Sequence, residues 1–239
     1  MTIPTIARVL VGLDFDDASA AALKTAAVFA RAWGATLSVL HAANDNMPTY
    51  FTASQLDQLE AEREQSRAAV ARRVREFAEG HVGAAVAVTI GEGPAQDAIV
   101  RVAPQFDVIV IGTHQRHGLA RWWLGSVAEA IVQHSPRPVM VVPAGAVVSD
   151  RPTVLVAGTN PATDAWASEL GRAGGDIIDR VLDIDHCTAD RLDRADVIVL
   201  PLPVETAQRR ASHLAQVLEE CRHVVLVVPV EPTLERTSS

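Results

Sequence analysis

DVIVIGTHQRHGLARWWLGSVAEAIVQHSPRPVMVVP, residues 107–143, decides the fold. Val108 to Ile111 is a continuous apolar, mostly β-branched run, the pattern of a strand buried on both faces of a parallel sheet. Gly112 ends it. After a loop, Gly125 and Ser126 open a helix over Val127 to His134, closed by Ser135-Pro136, and Arg137-Pro138 leads into a second buried run, Val139 to Val142. Strand, loop, helix, strand is the unit from which doubly wound α/β sheets are built.

The chemistry offered by this unit is anion binding. A loop that leaves the carboxyl end of a parallel strand sits where open α/β sheets hold ligands. The first turn of a helix carries unpaired N–H groups and the positive end of the dipole. Gly125 lets the backbone approach a phosphate, and Ser126 adds a hydroxyl donor. A glycine that ends a strand and a Gly-Ser pair that caps a helix would give the same letters with no ligand, so spacing alone leaves both readings open.

The spacing is similar to the signature of the universal stress protein family: a glycine, two residues, a glycine, nine residues, then Gly-Ser or Gly-Thr. Gly112 matches the first glycine and Gly125-Ser126 the final pair; Gln115 stands at the middle glycine. The resemblance implies ATP, with Mg2+ accompanying it, in a phosphate cradle of Gly112, Gln115, Arg116, Gly125, Ser126 and Val127. It places Asp14, at the tip of the first strand, near the adenosine and the metal, and Ala42, beside His41 at the tip of the second, against the base. A side chain at 115 crowds such a ligand or forces a left-handed backbone at ~1 kcal/mol, while His114, Arg116, His117 and Arg121 are substitute phosphate donors. A steric block at this position predicts that Gln115→Gly raises ATP affinity. Family members that lack the full pattern and bind no ATP make a nucleotide-free interaction or scaffold protein the alternative.

Bulk properties narrow the partners. The 239 residues fit one large α/β domain or two small ones, and a 49% hydrophobic fraction supplies a core. A net charge of −8 and a pI near 5.4 argue against nucleic acid as the main partner. Cys187 and Cys221 are too few for a disulfide scaffold and fit a reducing compartment. No leader pattern and no long apolar run stand out, so the expectation is a soluble cytoplasmic protein without a membrane partner. The one lysine, Lys24, excludes a lysine-bearing P-loop.

From the N-terminus, Arg8 to Asp14 reads as a buried strand, Asp16 or Asp17 as the cap of a helix from Ala18 to Trp33, and Thr36 to His41 as a second strand. Asn44 to Phe51 is a polar turn region. Thr52 to Glu79 reads as one long helix with an apolar stripe at Leu56, Leu59, Val70, Val74 and Phe77 and a charged, solvated opposite face. Val82 to Ile90 is the third strand, Gly91 to Pro94 a helix start with Pro94 in the first turn, and Ala95 to Ala103 a short helix. The β-α alternation predicts right-handed crossovers and a doubly wound, Rossmann-like parallel sheet. The resemblance covers roughly residues 6–143 and implies the adenine nucleotide alpha hydrolase-like version of that fold for residues 1–146.

Residues 151–231 read as a worn, shortened second copy. Thr153 to Ala157 echoes the first strand, Ala195 to Leu200 echoes Phe106 to Ile111, and Arg222 to Pro229 echoes Arg137 to Pro143. The first two echoes stand closer together than their counterparts, so a long helix and a strand are trimmed. Generic α/β strands would give similar letters without any repeat. PLPVETAQRRASHL follows Leu200 with no glycine loop, so no phosphate site is expected there. Val139 to Val142 is an apolar edge in need of cover. Its counterpart Val224 to Val228 supplies that cover in an intramolecular pseudo-dimer; self-association through the last strands is the other solution. Asp183, Asp185, His186, Cys187 and Asp190 match no zinc spacing and read as a polar loop. Trp122 and Trp123 read as packing or interface residues. No Ser/His/Asp set or carboxylate pair stands out, so no catalytic residue is assigned; the resemblance implies a regulatory, ligand-gated role in the stress response, to which any slow ATP hydrolysis would be incidental.

Overall fold

The computed structural model describes residues 5–43, 53–114, 125–181, 189–203 and 223–230, of which 53–61, 189 and 203 by backbone alone. The first half alternates strictly: β1 (Arg8–Gly12), α1 (Asp17–Trp33), β2 (Thr36–Ala43), α2 (Ala53–Val82), β3 (Ala87–Glu92), α3 (Ala95–Val102), β4 (Val108–Thr113), α4 (Ser126–His134) and β5 (Val139–Pro143). The second half follows with β6 (Thr153–Ala157), α5 (Pro161–Arg172), β7 (Asp176–Val181), α6 (Ala189–Leu192), β8 (Val197–Pro203) and β9 (Val224–Val230). The nine strands of the described residues lie in one sheet, in the order β3-β2-β1-β4-β5-β9-β8-β6-β7.

Every pairing is parallel but one: β5 and β9 run antiparallel, with Val139 opposite Val227, Met140 opposite Leu226 and Val141 opposite Val225. Matching Pro143 to Pro229 makes Met140 and Leu226 equivalent residues that face one another. A pseudo-two-fold axis therefore passes through this pair, the arrangement of an isologous dimer. The two valine-rich edges bury each other, as their unpaired N–H and C=O groups require.

The sheet is covered on both faces, which is why its strands are apolar throughout. On one face Val9, Val11, Val108 and Val110 pack with Ala22, Ala26 and Phe29 of α1, Val74 and Ala78 of α2, and Trp166 and Leu170 of α5. On the other, Leu10, Ile109 and Ile111 pack with Ile99 of α3 and Ile131 of α4. Helices α1 and α5 meet across the pseudo-axis: Phe29 stacks on Trp33 at 5.2 Å, Trp33 meets Trp166 edge-on at 6.2 Å, and the Trp33 indole N–H donates to the Glu169 carbonyl at 3.1 Å.

Three local expectations are corrected. Helix α2 continues through Val82, where Gly83 turns left-handed (φ 73°) and donates to the Glu79 carbonyl, so the third strand begins at Ala87. Ala84 and Ala85 carry no strand preference to oppose this. Strand β3 then runs through Gly91 to Glu92, and Pro94 precedes the helix at the N-cap position. Gly112 does not end β4, which continues to Thr113; it is a glycine because a Cβ there would lie 2.5 Å from the Ala18 carbonyl carbon of α1.

Candidate functional site

In the first half the chain leaves β1 toward β2 on one side and toward β4 on the other. A crevice opens at such a switch point, beyond the carboxyl ends of the strands. Here it is a cavity of about 680 Å³, walled by the ends of β1, β2 and β4 and by the N-termini of α1, α3 and α4. Its volume is within the range of small-molecule sites. Leu40, Ile99, Ile111 and Ile131 make one part apolar; Asp14, Asp16, Thr113, His114 and Ser126 make another polar.

Asp14, Ala42, Gly112, Gly125, Ser126 and Val127 all line this cavity. Gln115 and Arg116 fall outside the described residues, as do His117, Arg121, Trp122 and Trp123. Of the polar cluster in the second half, only Asp190 is described; among the described residues no group of three or more His, Cys, Asp or Glu is placed to hold a metal ion.

The three helix starts differ. Helix α1 caps itself: the Ser19 N–H donates to Asp16 Oδ1 at 2.6 Å, and the Ser19 hydroxyl accepts the Asp14 N–H at 2.8 Å. The other carboxylate oxygen of Asp16 lies 2.6 Å from His114 Nε2, tying the end of β4 to the start of α1. Partial burial raises the Asp16 pKa, but the Ser19 amide, the Ser19 hydroxyl and His114 together hold it below the ordinary carboxylate value. Helices α3 and α4 have no side-chain cap, with Pro94 and Gly125 in the capping positions. Their first residues, Ala95 and Ser126, line the cavity, and the first turn of a helix carries unpaired N–H groups and the positive end of the dipole.

The two motif glycines also differ. Gly112 is required by α1 packing. Gly125 has an ordinary backbone (φ −54°), and an added Cβ would meet nothing within 4 Å. The described residues give no reason for glycine at 125; close approach of a ligand would.

The turn after β1 holds Asp14 and Asp16 at the rim. Phe15 is left-handed (φ 52°), a conformation that costs a bulky residue about 1 kcal/mol or more. Packing offsets this: its ring meets Phe77 at 5.6 Å and His41 at 4.9 Å, and the Arg73 guanidinium sits 4.8 Å above it. His41 Nδ1 lies 2.9 Å from the Leu13 carbonyl, which makes that nitrogen the protonated donor. On the far side, Arg67 of α2 bonds Glu92 and holds its carboxyl below the ordinary range.

Sequence reasoning missed Ser19, Thr113 and the α3 start as parts of the site. Thr113 was legible in principle: two residues beyond Ile111 in an alternating strand, it faces the same side.

A sequence model of the universal stress protein family matches residues 5–143. No curated protein matches the chain in sequence. Among solved structures, a universal stress protein from Archaeoglobus fulgidus DSM 4304 is 16% identical, with 93% of this chain and 98% of that chain covered and a TM-score of 0.66. A putative universal stress protein from Pseudomonas aeruginosa UCBPP-PA14 is 14% identical, with 95% and 94% covered and a TM-score of 0.55. At these identities the likeness is one of fold, and it extends over both halves.

Proposed function

The chain belongs to the universal stress protein family, and from that premise we propose that the first-half cavity is an adenine-nucleotide site, for ATP with Mg2+, in a stress-response regulator without catalytic machinery of its own. The observation that carries this reading is the convergence of two uncapped helix starts, α3 and α4, with Asp14, Ala42, Gly112, Gly125, Ser126 and Val127 on one cavity. Its apolar part suits a base and its amide-lined part suits phosphates. Asp14 and Asp16 supply carboxylates from one side only, fitting a Mg2+ that takes most of its ligands from phosphate oxygens and water. The second half serves as a siteless partner: β9 covers β5, and α5 covers α1. No described helix is long and apolar enough to cross a membrane, and we place the protein in the cytoplasm on its acidic, cysteine-poor composition.

Calorimetric titration with ATP and Mg2+ tests the reading. Saturable binding to the wild type, abolished in Gly125→Glu, is the expected result, because a carboxylate at that position would occupy the α4 amides. Gly125→Ala should change unfolding free energy by less than about 1 kcal/mol yet weaken ATP binding. A wild type that takes up no ATP would sink the reading and leave a nucleotide-free interaction protein on the same fold.

A further inference from the structure

We propose that Thr113 is a ligand-reading residue of this cavity, its hydroxyl donating to an anionic phosphoryl oxygen held at the α4 N-terminus; this rests on the nucleotide reading above. Thr113 is the last residue of β4, 6% exposed, and its Oγ1 has no hydrogen-bond partner among the described residues. Its carbonyl accepts from Ala144 N–H at 2.9 Å, and the unpartnered side-chain atom is the hydroxyl oxygen. Along β4, Val108 and Val110 face α1, while Ile109 and Ile111 face α3 and α4. Alternation puts Thr113 on the second side, and both Ile111 and Thr113 line the cavity. Gly125 and Ser126, whose helix start has no side-chain cap, line it too.

A buried hydroxyl without a partner is a standing cost to the folded protein, and valine at this position would avoid it at equal volume. The hydroxyl makes sense as a donor kept dry for an acceptor that arrives with the ligand. The ligand's acceptor is a phosphate-type oxygen because the neighbouring donors are helix-start amides. Asp16, by contrast, is a carboxylate, which only accepts, and it already has Ser19 and His114 as partners.

The test uses the full chain, with Thr113→Val, Thr113→Ser and Gly125→Glu, titrated with ATP and Mg2+ and with adenosine. Thr113→Val should weaken ATP at least about tenfold and leave adenosine unchanged, while Thr113→Ser stays within about threefold of wild type for both. Without ligand, Thr113→Val should melt at or above the wild-type temperature. Wild-type ATP affinity in Thr113→Val, with Gly125→Glu inactive, overturns the role of Thr113 and leaves the nucleotide site standing. Equal weakening of adenosine overturns the phosphoryl assignment. A clearly lower melting temperature of ligand-free Thr113→Val shows a structural partner for the hydroxyl and overturns the proposal. No ATP uptake by the wild type overturns it together with the reading on which it rests.

Discussion

The two halves solve the same backbone problem with nearly the same bonds and then part company at the carboxyl ends of their strands. Asp107 accepts the N–H groups of Ala7 and Arg8, both at 2.8 Å; Asp196 accepts the N–H of Thr153 at 2.8 Å and its hydroxyl at 3.0 Å. Leu13 donates to the Leu40 carbonyl, and Gly158 to that of Val181. Thr36 donates to the Ala7 carbonyl, and Asp176 to that of Pro152. The difference lies where a ligand would enter. Gly112 of β4 has Pro201 as its counterpart in β8, and a Cβ on Gly158 would lie 2.8 Å from that proline ring. The first half carries α2 and β3 after β2, whereas only residues 182–188 separate β7 from α6. Bonds that hold strand ends together are shared by both halves; Gly112, which lines the first-half cavity, is replaced by a proline in the second.

The comparison can be broken first at Gly112. Gly112→Ala should cost about 3 kcal/mol in urea unfolding, since the new Cβ meets helix backbone that has no room to give. Pro201→Gly should cost less and confer no ATP binding on the second half. If Gly112→Ala were neutral, the close α1–β4 approach would not be what separates the halves. Next, Asp107→Ala and Asp196→Ala should each lose roughly 1–2 kcal/mol, since the first leaves the Ala7 and Arg8 amides unanswered and the second the Thr153 amide, whose hydroxyl keeps the Arg194 carbonyl as acceptor. Clearly unequal losses would mean that the matching bonds do not do matching work. The smallest effect belongs to Asp16. Asn caps a helix as well as Asp does, so Asp16→Asn gives α1 an uncharged cap of the kind that Asn160 gives α5. Because the folded-state pKa of Asp16 is depressed, its contribution is present above the unfolded value near 3.8 and is lost as pH falls through the folded value. The wild type should therefore melt above the variant at neutral pH by less than ~1 kcal/mol, as for a partly exposed pair, and the two curves should converge below pH 4.

Much of this was legible in the letters. Buried valine runs announced parallel strands, the echo of Pro143 in Pro229 pointed to the edges that meet, and Gly125 marked a helix boundary that holds. What was not legible depends on placement between segments distant in sequence. Nothing local in Gly112 says that α1 leans on it, and nothing in Glu169 says that its carbonyl serves Trp33. The start of β3 was misread because a left-handed Gly83 can end a helix as readily as it can sit within a loop. Phe15 is the clearest case: no sequence rule would assign a left-handed backbone to a phenylalanine, and only His41, Phe77 and Arg73 arriving from two other elements make it tolerable.

The seam between Met140 and Leu226 has a consequence for dilution. Two separate chains joined along such an edge come apart as concentration falls, and each face must suit its own mirror image. A seam closed within one chain keeps an effective local concentration in the millimolar range however dilute the solution, and a substitution on one side is not repeated on the other. One half is then free to carry proline at the position where the other keeps the glycine that lines its cavity.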